Sequence, residues 1–71
     1  MAKFSKGETV AWRWGAGKGT GRIAKTFARR VTRRIKGRDI TRNGSRSRPA
    51  YLIEQTDGGR VLKLETELER G

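Results

Sequence analysis

The chain has 71 residues, of which 18 are Lys or Arg and 7 are Asp or Glu, so its formal net charge is +11. This length predicts one domain spanning residues 1–71, and a domain this small buries only about 60% of the surface that its unfolded chain exposes, which leaves little room for a deep active site. Because histidine and cysteine are both absent, the chain lacks Ser-His and Cys-His nucleophile pairs and the usual transition-metal ligands, and we expect a binding module without a cofactor rather than an enzyme.

The first predicted element is a strand over residues 8–14. Val10, Trp12 and Trp14 alternate there with polar or small residues, and a period of two with β-branched and aromatic residues is typical of a strand. The glycine-rich residues 15–19 predict a turn. They resemble the end of a phosphate-binding loop, but Trp12 stands where such a loop needs its first glycine, so we interpret them as a hairpin turn.

Residues 22–36 fit two different structures. Ile23, Phe27, Val31 and Ile35 recur every four residues, which would form the apolar stripe of a basic amphipathic helix. The same residues also fit two strands separated near residues 28–29. The β-branched residues, the flanking glycines and the lack of a helix cap before residue 22 favour the two strands.

The second half of the chain predicts further short strands. Residues 38–42, 50–55 and 60–64 have strand composition, and residues 43–49 have that of a loop. The pair Asp57-Gly58 is a signal for a type I′ hairpin turn. Thr66 and Glu69 have the spacing of a capping box, which predicts a single helical turn at the C-terminus. Five or six short antiparallel strands at this spacing indicate an all-β fold, a small barrel.

The positive charge is concentrated in one region of the chain. Residues 18–48 contain twelve basic residues and one acid, which accounts for the whole net charge. Most of these cations are arginines, whose planar guanidinium group suits bidentate contact with phosphate. A solvated, charged sheet face without a partner is the alternative interpretation. The candidate nucleic-acid-binding residues are Arg29, Arg30, Arg33, Arg34, Lys36, Arg38, Arg42, Arg46 and Arg48.

Two aromatic residues are candidates for stacking on unpaired bases. Trp14 borders the glycine turn and Tyr51 begins a strand after a loop, and an exposed aromatic ring beside arginines is a typical stacking platform. Core filling is the alternative for both, and it is the expectation for Trp12 and Phe27. No apolar run approaches the roughly 20 residues of a membrane helix, so we expect no membrane contact and a cytoplasmic location.

The order and spacing of several segments resemble a known family. These segments are residues 6–15, 31–37, 41–43, 49–54 and 59–63, followed by Glu67-Leu68. Together they resemble the hypervirulence-associated protein Tudor-domain family over nearly the whole chain. The resemblance implies an SH3-like, Tudor-type barrel and favours strands over a helix for residues 22–36. It implies no agreed biochemical activity. Tudor barrels elsewhere bind methylated Lys or Arg in an aromatic cage, or bind nucleic acid, and this chain lacks a clear set of four cage aromatics.

Two functions follow from the sequence. The first is a nucleic-acid-binding module that presents the arginines to phosphates. The second is a protein-interaction module whose SH3-like groove or sheet edge takes a peptide or partner protein, including an acidic one. The sequence does not indicate which face the arginines share or what the oligomeric state is.

Overall fold

The computed structural model describes residues 3–70, which contain seven strands and one 3-10 turn. The strands are β1 (Thr9–Trp14), β2 (Gly17–Phe27), β3 (Arg30–Ile35), β4 (Arg38–Asn43), β5 (Ala50–Glu54), β6 (Arg60–Leu64) and β7 (Glu69–Arg70). A five-stranded antiparallel sheet has the order β6-β5-β2-β1-β7, and β3 and β4 form a separate two-stranded sheet. The all-β prediction is confirmed, and residues 22–36 form strands. The fold is consistent with a Tudor-like domain, although within residues 3–70 no hydrogen-bonded ladder joins the two sheets into a closed ring.

Strand β5 is apolar on both faces because it lies between two cores. Its first four residues are all buried, and successive side chains of a strand point to opposite faces. Tyr51 and Ile53 therefore enter one core while Ala50 and Leu52 enter the other. The first core consists of Phe4, Val10, Trp12, Ile23, Tyr51, Ile53 and Leu68. The second core consists of Phe27, Val31, Ala50, Leu52 and Leu62.

The β1–β2 hairpin uses its glycines to make room for tryptophan. Trp12 lies opposite Gly19 and Trp14 opposite Gly17 in the register of the two strands. A Cβ atom on Gly19 would come within 2.5 Å of the Trp12 indole, so only glycine lets this ring lie flat on β2. The turn itself is shorter than predicted, because Gly17 and Gly19 already belong to β2.

The β3–β4 hairpin covers the second core, and both residues of its turn have left-handed backbone angles. Val31 is buried in that core, and Ile35 and Ile40 pack against it. The two turn residues, Lys36 and Gly37, have φ angles of 51° and 77°. Both are left-handed, as a two-residue type I′ turn requires.

The predicted type I′ turn at Asp57-Gly58 is wrong. Only Gly58 is left-handed there, with φ of 90°, and its N–H donates to the Gln55 carbonyl at 3.0 Å. Asp57 instead accepts a hydrogen bond from the Gly59 N–H at 2.8 Å through Oδ1. The aspartate side chain therefore closes a longer loop, in which the glycine follows the turn rather than sitting at its centre.

The C-terminal turn begins earlier than predicted. A 3-10 turn spans Glu65–Glu67, and Glu67 Oε1 accepts a hydrogen bond from the Leu64 N–H at 2.8 Å. Thr66 is therefore not the cap. The chain leaves the turn at once because Leu68 is buried in the first core, and Glu69–Arg70 then pairs with β1.

Candidate nucleic-acid interface

The predicted basic residues divide between two faces of the β3–β4 hairpin. We call the outer face the side that carries Arg30 and Arg34, which lie opposite Asn43 and Asp39 in the register. Because side chains alternate along a strand, the remaining strand arginines share the other side with buried Val31. We call this side the inner face, and its basic residues are Arg33, Arg38 and Arg42.

Two of the inner-face arginines contact the rest of the domain. The guanidinium carbon of Arg33 lies 5.0 Å from the centre of the Phe27 ring, a cation–π contact. Arg42 donates from Nε to Glu67 Oε1 at 3.0 Å and from Nη1 to the Thr41 carbonyl at 3.0 Å. These two side chains hold the hairpin against the domain, so their main role is structural.

The outer face carries more weakly engaged charges. Arg34 lies 3.6 Å from Asp39, but both side chains are more than two-thirds exposed, and such pairs contribute at most about 1 kcal/mol. None of the salt bridges among residues 3–70 includes Arg30. On the same face, the hydroxyl groups of Thr32 and Thr41 form a hydrogen bond, with 2.8 Å between their oxygen atoms. This face therefore offers guanidinium groups to a ligand at little cost.

Four exposed arginines lie on chain segments that meet at the open end of the hairpin. The Gly44 N–H donates to the Arg29 carbonyl at 3.1 Å, which places the loop after β4 against the connection between β2 and β3. A Cβ atom on Gly44 would lie 2.5 Å from the Phe27 carbonyl, so this approach requires glycine. We call this group the arginine corner, and its members are Arg29, Arg30, Arg46 and Arg48.

The loop that carries two of these arginines is tied by its serines. The Ser45 N–H donates to the Arg48 carbonyl at 3.0 Å, and the Arg48 N–H donates to Ser45 Oγ at 3.1 Å. Ser45 Oγ also lies 3.4 Å from Ser47 Oγ. Such side-chain bonds define a compact turn, so they fix the backbone from which Arg46 and Arg48 project. Lys36 lies at the hairpin turn, six residues along the chain from Arg30, which is about 20 Å of extended strand.

The two candidate stacking aromatics have opposite environments. Trp14 is 61% exposed, and one face of its indole lies on Gly17, so the other face is open to a base. Tyr51 is 0% exposed. It packs edge-on against Phe4 with ring centres 5.6 Å apart, and its hydroxyl donates to Glu65 Oε1 at 3.0 Å. Burial raises the pKa of Tyr51. Tyr51 is therefore a core residue, and a base cannot reach its ring.

The remaining aromatics do not form a cage for a methylated ammonium group. Phe4, Trp12 and Phe27 are buried in the two cores, as expected for Trp12 and Phe27. Within residues 3–70, no group of three or more acidic residues is placed to hold a metal ion. The same part of the chain has no helix of the length and apolarity needed to cross a membrane. The cytoplasmic location stays a prediction.

Sequence reasoning missed a cleft between β4 and β6. It has a volume of about 240 Å³, with an apolar floor formed by Ile35, Ile40, Val61 and Leu62. Its basic lining residues are Lys36, Arg38, Arg42, Arg60 and Lys63. Arg60 and Lys63 lie outside the basic region of the sequence, so only the fold brings them beside the hairpin.

The chain matches a protein-family model. The model described as the Tudor domain of hypervirulence-associated proteins matches residues 7–68, which is most of the chain. No curated protein and no solved structure gives a significant match.

Proposed function

The chain belongs to the hypervirulence-associated protein Tudor-domain family, and we propose that it binds nucleic acid through the arginine corner and the outer face of the β3–β4 hairpin. Membership of a Tudor-type family supports a small binding module in general. The arginine corner is the observation that carries the proposal. Its four exposed arginines come from the β2–β3 connection, the first residue of β3 and the loop after β4, and a backbone hydrogen bond joins that loop to the connection. Residues 25–53 contain a single carboxylate, Asp39, so little intramolecular charge competes with phosphate.

The physical basis is contact with phosphate and release of counterions. Guanidinium groups bind phosphate oxygens through paired N–H donors, and each neutralised phosphate releases condensed cations. For four contacts, the logarithm of the binding constant should fall with the logarithm of salt concentration with a slope of about −3 on single strands and about −3.6 on duplex. Binding by this route depends little on sequence, because phosphate contacts carry no base information.

Trp14 supports a preference for unpaired bases. One face of its indole lies on Gly17, and stacking of a base on an exposed tryptophan contributes about 1–3 kcal/mol. Trp14 is therefore the stacking residue, whereas buried Tyr51 takes no part in binding.

A salt series of mobility-shift titrations tests the proposal. Arg30→Ala and Arg48→Ala should each weaken binding and make the slope less steep by about 0.7 to 0.9. Lys6→Ala, which removes an equal charge from an exposed N-terminal position, should leave the slope unchanged. Absence of binding at low salt would overturn the proposal, and so would equal losses in all three variants.

An acidic peptide is the second candidate ligand. The specific observation that favours it is the cleft between β4 and β6, which lies away from the arginine corner and combines an apolar floor with basic residues.

A further inference from the structure

We infer that Asn43-Gly44 is a site of spontaneous deamidation that the fold keeps closed, and that the product of this reaction disrupts the arginine corner. Asn43 is the only asparagine of the chain, and a glycine follows it. The chemistry at this site does not depend on nucleic-acid binding. Only its consequence for a bound ligand rests on the proposed function.

The first argument is the chemistry of the dipeptide. The backbone nitrogen of Gly44 loses its proton to a base and attacks Cγ of Asn43, which closes a succinimide ring and releases the side-chain nitrogen as ammonia. Water then opens the ring at either of its carbonyl groups and leaves aspartate or isoaspartate. The net change exchanges ammonia for water and needs no oxidant or reductant. Glycine favours the attack because it has no Cβ atom to obstruct the approach.

The second argument is that the fold requires this glycine. A Cβ atom at position 44 would lie 2.5 Å from the Phe27 carbonyl oxygen and 2.8 Å from the Ala50 nitrogen. Both neighbours are backbone atoms, which cannot turn aside as the end of a flexible side chain can. A larger residue would therefore push the loop after β4 away from the segments that it meets. The neighbour that makes an asparagine labile is thus part of the packing.

The third argument is that the folded chain holds the attacking nitrogen. The Gly44 N–H donates to the Arg29 carbonyl at 3.1 Å, and a proton in such a hydrogen bond is protected from base until the bond opens. The tight packing around Gly44 also prevents its nitrogen from moving towards Cγ of Asn43. The ring can therefore close only when this end of the hairpin opens, so the rate follows the population of that open state.

The product changes the arginine corner in two ways. Asn43 and Arg30 lie opposite each other in the register, where Cβ atoms are about 4.5–5.5 Å apart, so a carboxylate at position 43 pairs with Arg30 and withdraws it from phosphate. Isoaspartate also routes the backbone through the side chain, which inserts one carbon atom and lengthens the chain by about 1.5 Å. The packing around Gly44 has no room for that shift, so its hydrogen bond to Arg29 is lost.

The first test compares the folded domain with a capped synthetic peptide of residues 40–47 at the same mildly alkaline pH. Mass spectrometry follows the exchange of the side-chain amino group for a hydroxyl group. We expect the peptide to deamidate and the folded domain to do so at least about ten-fold more slowly, and Asn43→Gln should remove the mass change from both. Equal rates in the domain and the peptide would overturn the inference, and so would a peptide that stays intact.

The second test examines the product itself. The domain is synthesised chemically with isoaspartate at position 43, and Asn43→Asp serves as the matched control that adds the charge without the extra backbone carbon. Isoaspartate should speed the hydrogen exchange of the Gly44 amide at least about ten-fold, whereas Asn43→Asp should leave it nearly unchanged. Unchanged exchange in the isoaspartate domain would overturn the inference.

Mobility-shift titrations in a salt series then link the site to the proposed function. Asn43→Asp should make the slope less steep by about 0.7 to 0.9, and Asn43→Gln should leave it unchanged. Equal slopes for these two variants would overturn the predicted withdrawal of Arg30 from phosphate. Absence of binding by the wild type would overturn the proposed function and leave the deamidation site standing.

Discussion

Replacing Gly19 with alanine should destabilise the domain, and the same change at Gly17 should not. Both glycines lie in β2 opposite a tryptophan, and neither has a left-handed φ, so alanine suits the backbone at both sites. The difference lies in the two indoles. Trp12 is 3% exposed and fixed in the first core, whereas Trp14 is largely exposed and free to move into solvent.

The size of the effect follows from the distances. A Cβ atom at position 19 would lie 2.5, 2.6 and 2.7 Å from three atoms of the Trp12 ring, and carbon atoms ordinarily approach to about 3.5–4.0 Å. The ring must move by about 1 Å within a packed core, at a cost of about 1–3 kcal/mol. The lower entropy of unfolded alanine offsets about 0.4–1 kcal/mol of this. We expect a net loss of about 1–2 kcal/mol for Gly19→Ala.

Gly17→Ala should be neutral within about 0.5 kcal/mol. Its Cβ atom would lie 3.0 Å from the Trp14 ring, and that ring can tilt away. The two variants are compared by urea and thermal unfolding, and for a domain of this size Gly19→Ala should lower the melting temperature by about 4–16 °C. Equal stability of the two variants would refute the packing argument. In a Trp12→Phe background the penalty at position 19 should shrink, because the smaller ring leaves room for the methyl group.

Three further predictions concern single side chains. Because burial raises the pKa of Tyr51, the unfolded chain loses the hydroxyl proton at a lower pH than the folded chain. The free energy of unfolding should therefore fall as the pH rises above 10.0. The absorbance of this single tyrosine reports the titration, and Tyr51→Phe should remove the pH dependence. Glu67→Ala should cost about 1–2 kcal/mol in urea unfolding, since it removes both the Leu64 N–H acceptor and the Arg42 partner; the exposed Glu69→Ala should cost less than about 0.5 kcal/mol. Lys36→Asn should stabilise by about 0.5–1 kcal/mol in the same assay, because asparagine tolerates the left-handed φ of the turn.

The strands could be predicted where side chains alternate between polar and apolar or where β-branched residues are concentrated. Residues 8–14 and 60–64 alternate or carry β-branched residues, and the structure has β1 and β6 there. Residues 22–36 fitted a helix as well, because a four-residue spacing of apolar residues also arises from two strands with a break between them. The sequence could not decide this from periodicity alone, since the partner strands that satisfy β2 and β3 lie elsewhere in the chain.

The environment of single residues was harder to predict than the strands. Tyr51 looked equally suited to core and surface, and it is buried because β5 has a core on each face, which no local pattern reveals. The turn at Asp57-Gly58 failed because Asp57 bonds to Gly59 instead of occupying a left-handed position. The basic region was evident from composition, but its division into outer and inner faces needed the register of β3 with β4.

The division of the basic residues between the outer and inner faces allows a chain with a net charge of +11 to present two separate basic surfaces. Arg30 in the arginine corner and Arg38 beside the cleft are separated by the length of β3, about 17 Å. Charges are screened over about 8 Å at 0.15 M ionic strength and over about 30 Å at 0.01 M. At physiological salt, a carboxylate bound near Arg38 therefore has little influence on a phosphate near Arg30, whereas at low salt the two ligands share one field and repel each other. Titrations at low salt would thus make two separate sites look like one competitive site, and Arg30→Ala and Arg38→Ala distinguish them only when the ionic strength is near 0.15 M.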